Sequence, residues 1–496
     1  MKCDILIIGG GVVGTAIARE LSRYNLEIVL LEKEDDVAMG SSKANSGIVH
    51  AGYNSPADTL KARLNVKANP QFDKLCADLD VPFKRIGSLV IAFNEDELKQ
   101  LKWEKENGEK LGIKGLKILS RDELLEKEPN LNPKAKYGLY APSAGIVSSY
   151  ELTIALADNA VINGGKVMLE TEVRDIIEEK GRIQGVKTNT GDFYASYVIN
   201  AAGLFADEIA NYSNDTKIEY SLRKGEYHLY DKNWGNFVTH ILFPTPSKVS
   251  KGILITPTVH GNLMIGPNAE ETKDKKDLST SKVALNEVFE SAKKLVPDLK
   301  RLDIINSFSG IRAKEKSNDF IIAASKGLEG LINVAGIQSP GLSAAPAIAE
   351  MLLDILHEYN HELKRDIDLS FKKNFKETLT PKKRLYRTDY YNWQEIIAEN
   401  PDFAEIVCRC EKVSKGEIIH AINRPVPATS IDAVKRRTRT GTGRCQGGFC
   451  QPRVLEILAK ELNISPLKVS KKGKGSCLLF ARTKEMLLSK MAGEKL

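Results

Sequence analysis

The chain opens with "KCDILIIGGGVVGTAIARELSRYNLEIVLLEKEDD", and this stretch limits the fold more than any other. "DILII" is an apolar run of the kind that forms a strand buried on both faces. It runs into Gly9, Gly11 and Gly14 in a G-x-G-x-x-G pattern. Those glycines permit a sharp turn, close approach of backbone to a phosphate, and tight helix–strand packing. "GTAIARELSRY" then reads as a helix whose first amides point at a pyrophosphate. "EIVLLE" reads as the next strand and ends in Glu32, where a ribose hydroxyl is held in such units. A glycine turn without a ligand does not need the strand before, the helix after and the spaced acid. The motif does not by itself separate NAD from FAD.

"GSSKANSGIVHAGYNSP", from Gly40 to Pro56, has neither helical nor strand periodicity. It is a small, polar loop able to lay amides and hydroxyls along a ligand. Ser41, Ser42 and Ser46 either contact such a ligand or simply cap the loop. His50 lies on no periodic face and is either a hydrogen-bonded structural residue or a catalytic one.

The pairing of "GGGVVG…LLEKE" with "SSKANSGIVHAGY" resembles the FAD-dependent family that includes D-amino-acid oxidase, glycerol-3-phosphate dehydrogenase and L-2-hydroxyglutarate oxidase. Three later segments fit the same family: Gly165 to Asp207, ending in "NAAGLFAD"; "SFSGIRAK"; and "LINVAGIQSPGLSAAPAIAEMLLDIL". The likeness covers about residues 1–370. It implies FAD contacts from Gly9, Gly11, Gly14, Glu32, Lys33, Ser41, Ser42, Asn45 and Ser46. It implies further contacts from Val173, Ala201, Ala202, Gly203, Gly336, Gln338, Ser339, Pro340, Gly341 and Leu342, bound without a covalent bond. Catalysis or substrate binding falls to His50 and Arg312, the arginine because its guanidinium fork matches a carboxylate or phosphate. Lys251, Lys314 and His260 are weaker candidates.

The expected fold is an α/β Rossmann-like FAD-binding domain with an antiparallel β-sheet substrate domain (α+β), plus a small helical C-terminal [2Fe-2S] domain. The FAD-binding part is expected at about 1–85, 145–215 and 305–370, with the substrate part at about 86–144 and 216–304. A basic arm, 371–404, and a cysteine domain, 405–496, follow.

Seven cysteines are sparse for 496 residues, but four are bunched as "VCRCEK" and "GRCQGGFC". Bunched cysteines in a reducing compartment bind metal or do redox work more often than they form disulfides. Ser414 and Glu417 form an S-x-x-E capping box, and Pro452 opens another helix, so the cysteines sit on loops at two helix N-termini. Cys408, Cys410, Cys445 and Cys450 make a four-thiolate set suited to zinc or to a [2Fe–2S] cluster. Arg409, Arg436, Arg437, Arg439 and Arg444 are available to offset its charge. The segment resembles the BFD-like [2Fe–2S] domain appended to anaerobic glycerol-3-phosphate dehydrogenases, which implies the cluster.

The resemblance points to oxidation of a small anionic alcohol, sn-glycerol 3-phosphate first. A 2-hydroxy acid such as L-2-hydroxyglutarate is second and an amine third. A structural zinc assembly module is the rival of another class. No second dinucleotide fingerprint is present, so NAD is not expected. The net charge of +7 comes with no nucleic-acid-binding motif. No apolar run is long enough to span a membrane, and the opening does not read as a signal peptide. A cytoplasmic chain is expected, in an oligomer or heteromeric complex with another redox subunit or electron carrier. Any attachment to the inner face of a membrane is expected through that partner.

Overall fold

The first strand, β1 (Lys2–Ile8), is followed by helix α1 (Val12–Leu21) and strand β2 (Ile28–Leu31). Ile5, Leu6 and Ile7 have no exposed surface, as a strand covered on both sides requires. Gly9 has φ +108°, and a Cβ there would lie 2.5 Å from the Ala201 carbonyl oxygen. A Cβ on Gly14 would lie 2.0 Å from the Gly9 oxygen, so only glycine lets α1 close on the turn.

In this computed structural model residues 1–212, 217–246, 252–363, 367–385 and 390–484 are described. The chain divides into two compact units, Met1–Lys33 with Val37–Thr380, and Glu34–Asp36 with Pro381–Leu496.

In the first unit, β1 and β2 lie in an eight-stranded sheet. β1 pairs in parallel with β2 and with strand Gly191–Asn200, which in turn pairs in parallel with Leu331–Ala335. This is the expected nucleotide-binding architecture. A nine-stranded second sheet contains β3 (Tyr220–Tyr230) and β4 (Ile304–Glu315), joined along almost their whole length in antiparallel register. Helix α2 (Lys282–Leu295) covers one face, burying Val288, Phe289 and Leu295 against Tyr230, Leu242 and Ile265. One pair in this sheet, Ile241–Pro244 with Ser88–Ala92, is parallel, so the sheet is mixed rather than wholly antiparallel. Helix α3 (Gly341–Leu363) packs back onto the first sheet, with Ala344, Ile348 and Leu352 in its core.

Two boundaries differ from the sequence expectation. β4 belongs to the second sheet, because its backbone ladder is with β3, although 305–370 was assigned to the FAD-binding part. The stretch 371–404 is not one arm. Phe371 stacks on Tyr24 with centroids 4.6 Å apart, and Glu377 pairs with Arg19 and Arg23, so these residues belong to the first unit.

In the second unit, helix Tyr390–Glu399 precedes β5 (Ile406–Cys408) and β6 (Val413–Ser414). Three helices follow: α4 (Lys415–Ile422), α5 (Ile431–Thr438) and α6 (Gln451–Glu461). The Ser414–Glu417 capping box forms in full at α4, and Pro452 sits in the first turn of α6. Val407, Ile418, Val434, Val454 and Leu458 make a core of their own. Among the described residues no helix is long and apolar enough to cross a membrane.

Candidate active site and cluster site

The turn between β1 and α1 ends in a helix N-terminus whose N-cap, Gly11, has no side chain, and a helix start of this kind favours an anion. Ser42 Oγ accepts from Val12 N–H at 2.9 Å, which brings the Gly40–Ser46 loop onto the helix N-terminus. Glu32, at the end of β2, accepts the Gly10 N–H at 2.7 Å, so its carboxylate is fixed beside the turn. The Lys33 ammonium lies 3.4 Å from the centroid of the Phe205 ring. Ala201, Ala202 and Gly203 follow the strand that pairs with β1, and Ala201 touches Gly9. Val173 begins strand Val173–Glu179 at the edge of that sheet and packs against the core cluster that contains Leu31.

The loop's own side chains are largely engaged with protein. Ser41 Oγ donates to the Ile311 carbonyl at 2.8 Å. Asn45 Nδ2 donates to the Ser41 and Ser42 carbonyls, and its Oδ1 accepts from Gly47 N–H. Ser46 is half-buried. Ser41 and Asn45 therefore shape the loop through their side chains. Small residues and bare amides are left to line a ligand, which fits a long dinucleotide lying along backbone.

At the same carboxyl edge of the first sheet, after strand Leu331–Ala335, Gly336 has φ +67° and donates to Tyr220 Oη at 3.2 Å. Gln338 Nε2 donates to Asn318 Oδ1 at 2.9 Å. Ser339 and Pro340, joined by a cis bond, lead into Gly341 and Leu342 at the start of α3. His50 is held against this turn. Its N–H donates to Ser343 Oγ at 2.8 Å, and its carbonyl accepts from Asn65 and Asn69. Its Nε2 lies 3.5 Å from Ser339 Oγ, and its ring is 6.0 Å from that of Phe243.

Arg312 projects from the face of the second sheet opposite α2. His228, on the other face, reaches the Leu285 carbonyl of α2 at 3.0 Å. Alternation puts Arg223, Gly225 and Tyr227 of β3 on the open face, opposite Arg312, Gly310 and Phe308 of β4. Phe243 shares this face, since its neighbour Leu242 packs on the α2 side. The Tyr227 and Phe308 rings stack with centroids 4.8 Å apart. Burial raises the Tyr227 hydroxyl pKa, while a hydrogen bond and positive charge from Arg312 act the other way. A Cβ at Gly310 would lie 2.3 Å from the Ala44 oxygen, so the Gly40–Ser46 loop rests directly on β4.

The structure thus gathers the cofactor loop, His50 with the Gly336–Leu342 turn, and Arg312 around one sheet face. Tyr227, Phe308 and Phe243 belong to it, and sequence reasoning did not single them out. Lys314 lies two residues beyond Arg312 on the same face. Lys251 lies outside the described residues. His260 is elsewhere: its Nε2 is 2.9 Å from Glu151 Oε1, and it sits beside the Tyr230 end of β3. Seven residues of strand, ~24 Å, separate that end from Arg223.

In the second unit the four thiols meet as two pairs. Cys410 Sγ is 3.8 Å from Cys445 Sγ, both exposed, and Cys408 is hydrogen-bonded to Cys450, both buried. Among the described residues no group of three or more His, Cys, Asp or Glu side chains is arranged to hold one metal ion. Two sulfur pairs suit the two irons of a [2Fe–2S] centre better than one zinc. Cys408 is lowered to about 6 by its bond with Cys450, against burial, helped by amides of Gly441 and Glu411. Cys445 is lowered chiefly by the Phe449 amide, with help from Gly447. Amides aimed at sulfur are what anionic cluster ligands need. A Cβ on Gly443 would fall 2.4 Å from Cys410 Cβ, so the loop closes only with glycine there.

The five arginines expected to offset charge here do not act alike. Arg436 and Arg437 are bonded to the buried Asp36 carboxylate, and Arg439 Nε donates to Glu411 at 2.8 Å. Arg409 and Arg444 remain at the exposed rim, with Arg409 4.8 Å from the Phe449 ring.

Residues 4–355 match the family profile "FAD dependent oxidoreductase", and residues 406–460 match "BFD-like [2Fe-2S] binding domain". A glycerol 3-phosphate dehydrogenase from Caloramator mitchellensis is 46% identical over 97% of this chain and 99% of its own. A structure of L-alpha-glycerophosphate oxidase from Mycoplasma pneumoniae with FAD bound superposes with a TM-score of 0.72 at 31% identity, covering 76% of this chain and 98% of that one. An L-2-hydroxyglutarate dehydrogenase from Indibacter alkaliphilus is 27% identical over 63% of this chain and 88% of its own. With the dinucleotide cradle on one sheet and paired thiols on a separate unit, the chain belongs to the FAD-dependent oxidoreductases and carries a C-terminal BFD-like [2Fe–2S] domain.

Proposed function

We propose that this chain is a dehydrogenase that oxidises sn-glycerol 3-phosphate to dihydroxyacetone phosphate and delivers the electrons to a separate redox protein. The observation that carries this reading is the likeness to the Caloramator mitchellensis dehydrogenase through both units. The likeness to the Mycoplasma pneumoniae oxidase covers 76% of the chain. The cysteine unit, separate from the oxidoreductase fold, favours delivery to a carrier over direct reaction with oxygen.

When bound, FAD supplies a hydride acceptor and the cluster a one-electron outlet. In the proposed roles, Arg312 holds the substrate anion, and the buried Tyr227 hydroxyl keeps its guanidinium aimed. His50 Nε2 takes the hydroxyl proton as the C–H bond breaks, with Ser343 and Ser339 fixing backbone and ring. The Tyr227–Phe308 stack and Phe243 exclude water. The product is a ketone, poorer than the alcohol by the hydride of the C–H bond and the proton of the O–H bond, two electrons and two protons in all. Arg409 and Arg444 border the exposed Cys410–Cys445 pair, where a redox partner has access. We place the enzyme in the cytoplasm as part of a larger assembly, with any membrane attachment made through that partner.

A 2-hydroxy acid also offers an anion to Arg312, and the Indibacter relative shares much of the first unit. The test is an anaerobic panel of sn-glycerol 3-phosphate, L-2-hydroxyglutarate and glycine with an artificial acceptor. Glycerol 3-phosphate is expected to give the highest kcat/KM by at least tenfold, with little oxygen consumed in its absence of acceptor. A higher kcat/KM for either other compound overturns the assignment.

A further inference from the structure

β3 and β4 place Arg223 directly opposite Arg312. Directly opposed residues of an antiparallel pair share a face, with Cβ atoms ~5 Å apart, and like charges so placed destabilise the sheet. Both arginines are half-buried, on the face that carries Tyr227 and Phe308 and meets the cofactor loop at Ala44. Between the arginine row and the aromatic row lies the Gly225–Gly310 pair, which has no side chains. Arg312 reaches across it to the Tyr227 hydroxyl. On the other side of Arg223, in the same row, stands the exposed Glu271 of strand Glu270–Thr272. The three charges in the row sum to one positive.

We propose that Arg223 is a specificity-determining residue that completes, with Arg312, a two-guanidinium clamp for the phosphate of the substrate. This rests on the reading that Arg312 faces the substrate anion. The stoichiometry of donors argues for phosphate. One guanidinium fork satisfies both oxygens of a carboxylate. A phosphomonoester has three terminal oxygens and a charge of about −1.5 to −2 at pH 7, so a single fork leaves it under-served. A second arginine facing the first is redundant for a 2-hydroxy acid or an amino acid, and useful for a phosphorylated alcohol. The dianion also removes the repulsion of the opposed pair. On this reading Arg223 favours phosphate over carboxylate in this chain, while Arg312 serves either anion.

The experiment uses the full-length, FAD-loaded protein and reads anion binding apart from turnover. Inorganic phosphate and acetate are titrated against the flavin absorption band in wild type, Arg223→Ala, Arg223→Lys and Arg312→Ala, and kcat/KM for sn-glycerol 3-phosphate is measured in parallel. Arg223→Ala is expected to weaken phosphate ~10–100-fold and leave acetate within about twofold. KM for glycerol 3-phosphate rises by a similar factor with kcat nearly unchanged, and Arg223→Lys recovers part of the loss. Arg312→Ala weakens both anions. Equal weakening of phosphate and acetate in Arg223→Ala, or no weakening of either, overturns the clamp. If Arg312→Ala also leaves both anions unaffected, the fault lies with the placement of the substrate anion at Arg312. An effect confined to Arg312 sinks the role of Arg223 alone.

Discussion

Gly310→Ala tests whether the cofactor loop and the substrate sheet are set by one contact. The new Cβ would stand 2.3 Å from the Ala44 oxygen and 3.0 Å from Ala44 Cβ. Reaching an ordinary separation requires a shift of about 1 Å by backbone, and no flexible side chain can absorb it. Overpacking of this kind costs ~1–3 kcal/mol. If the loop yields, the Ser41–Ile311 bond of 2.8 Å and the Ser42–Val12 bond of 2.9 Å are both pulled. If the strand yields, Arg312, two residues on, moves with it. Transferred to cofactor binding, the same energy weakens FAD by ~5–150-fold. A displacement of about 1 Å at the site lowers kcat/KM by up to ~100-fold. The assay is stepwise reconstitution of apoprotein with FAD followed by flavin fluorescence, with kinetics and thermal unfolding on the same samples. Gly40→Ala is the control, since that glycine in the same loop has nothing within 4 Å of a built Cβ. It should bind FAD as wild type does. Normal FAD affinity and normal kcat/KM in Gly310→Ala would refute the reasoning.

Cys445→Ser should abolish the iron–sulfur absorbance and leave the flavin spectrum intact; stoichiometric zinc without sulfide in anaerobically prepared wild type would contradict the cluster assignment. In that variant, anaerobic flavin bleaching by substrate should proceed at the wild-type rate in stopped flow while turnover with the carrier collapses; parallel losses would make the cysteine unit structural. His50→Gln should lower kcat ~100–10,000-fold with FAD still bound, and unchanged kcat would remove it from proton transfer. Asp36 is fully buried; burial raises its pKa, but Arg437 and then Arg436 outweigh that and hold it below the ordinary carboxylate value. A depressed folded pKa gives stability present above about pH 4 and lost as pH falls toward the folded value. Asp36→Ala leaves two arginines without their carboxylate and should destabilise the second unit by ~3–5 kcal/mol, read by urea unfolding of the full chain.

What was legible in the sequence was what is local. The Gly9, Gly11 and Gly14 turn and the Ser414–Glu417 cap are each written within a few residues, and their geometry follows from short-range sterics and hydrogen bonds. The two cysteine pairs announced a metal centre, but which sulfur meets which depends on how two loops fold together. Arg312 came into view through a motif, whereas Arg223 did not. Its meaning arises only from a strand register joining segments far apart in the chain. The resemblance implies FAD contacts at Ser41 and Asn45; what it does not convey is that the Ser41 hydroxyl bonds the Ile311 carbonyl of β4 and the Asn45 amide the carbonyls of its own loop. Arg436 and Arg437 are expected from sequence to offset the charge of the thiolates, and the buried Asp36 carboxylate, far off in the chain, binds both.

The alternation along β3 and β4 has a consequence for how substrate range can change over evolutionary time. Lys224, Glu226 and His228 point to the α2 side and are bound there to Asp277, Ser281 and Leu285. Arg223, Tyr227, Phe308 and Arg312 point the other way. Under the proposed roles, exchanges at the half-buried Arg223 and Arg312 retune the ligand and leave the α2-side core closed, so selection can explore substrates at small cost in foldability. An ancestor accepting several anions could therefore have diverged by exchanging a few side chains on one face of one strand pair, with the cofactor frame left untouched.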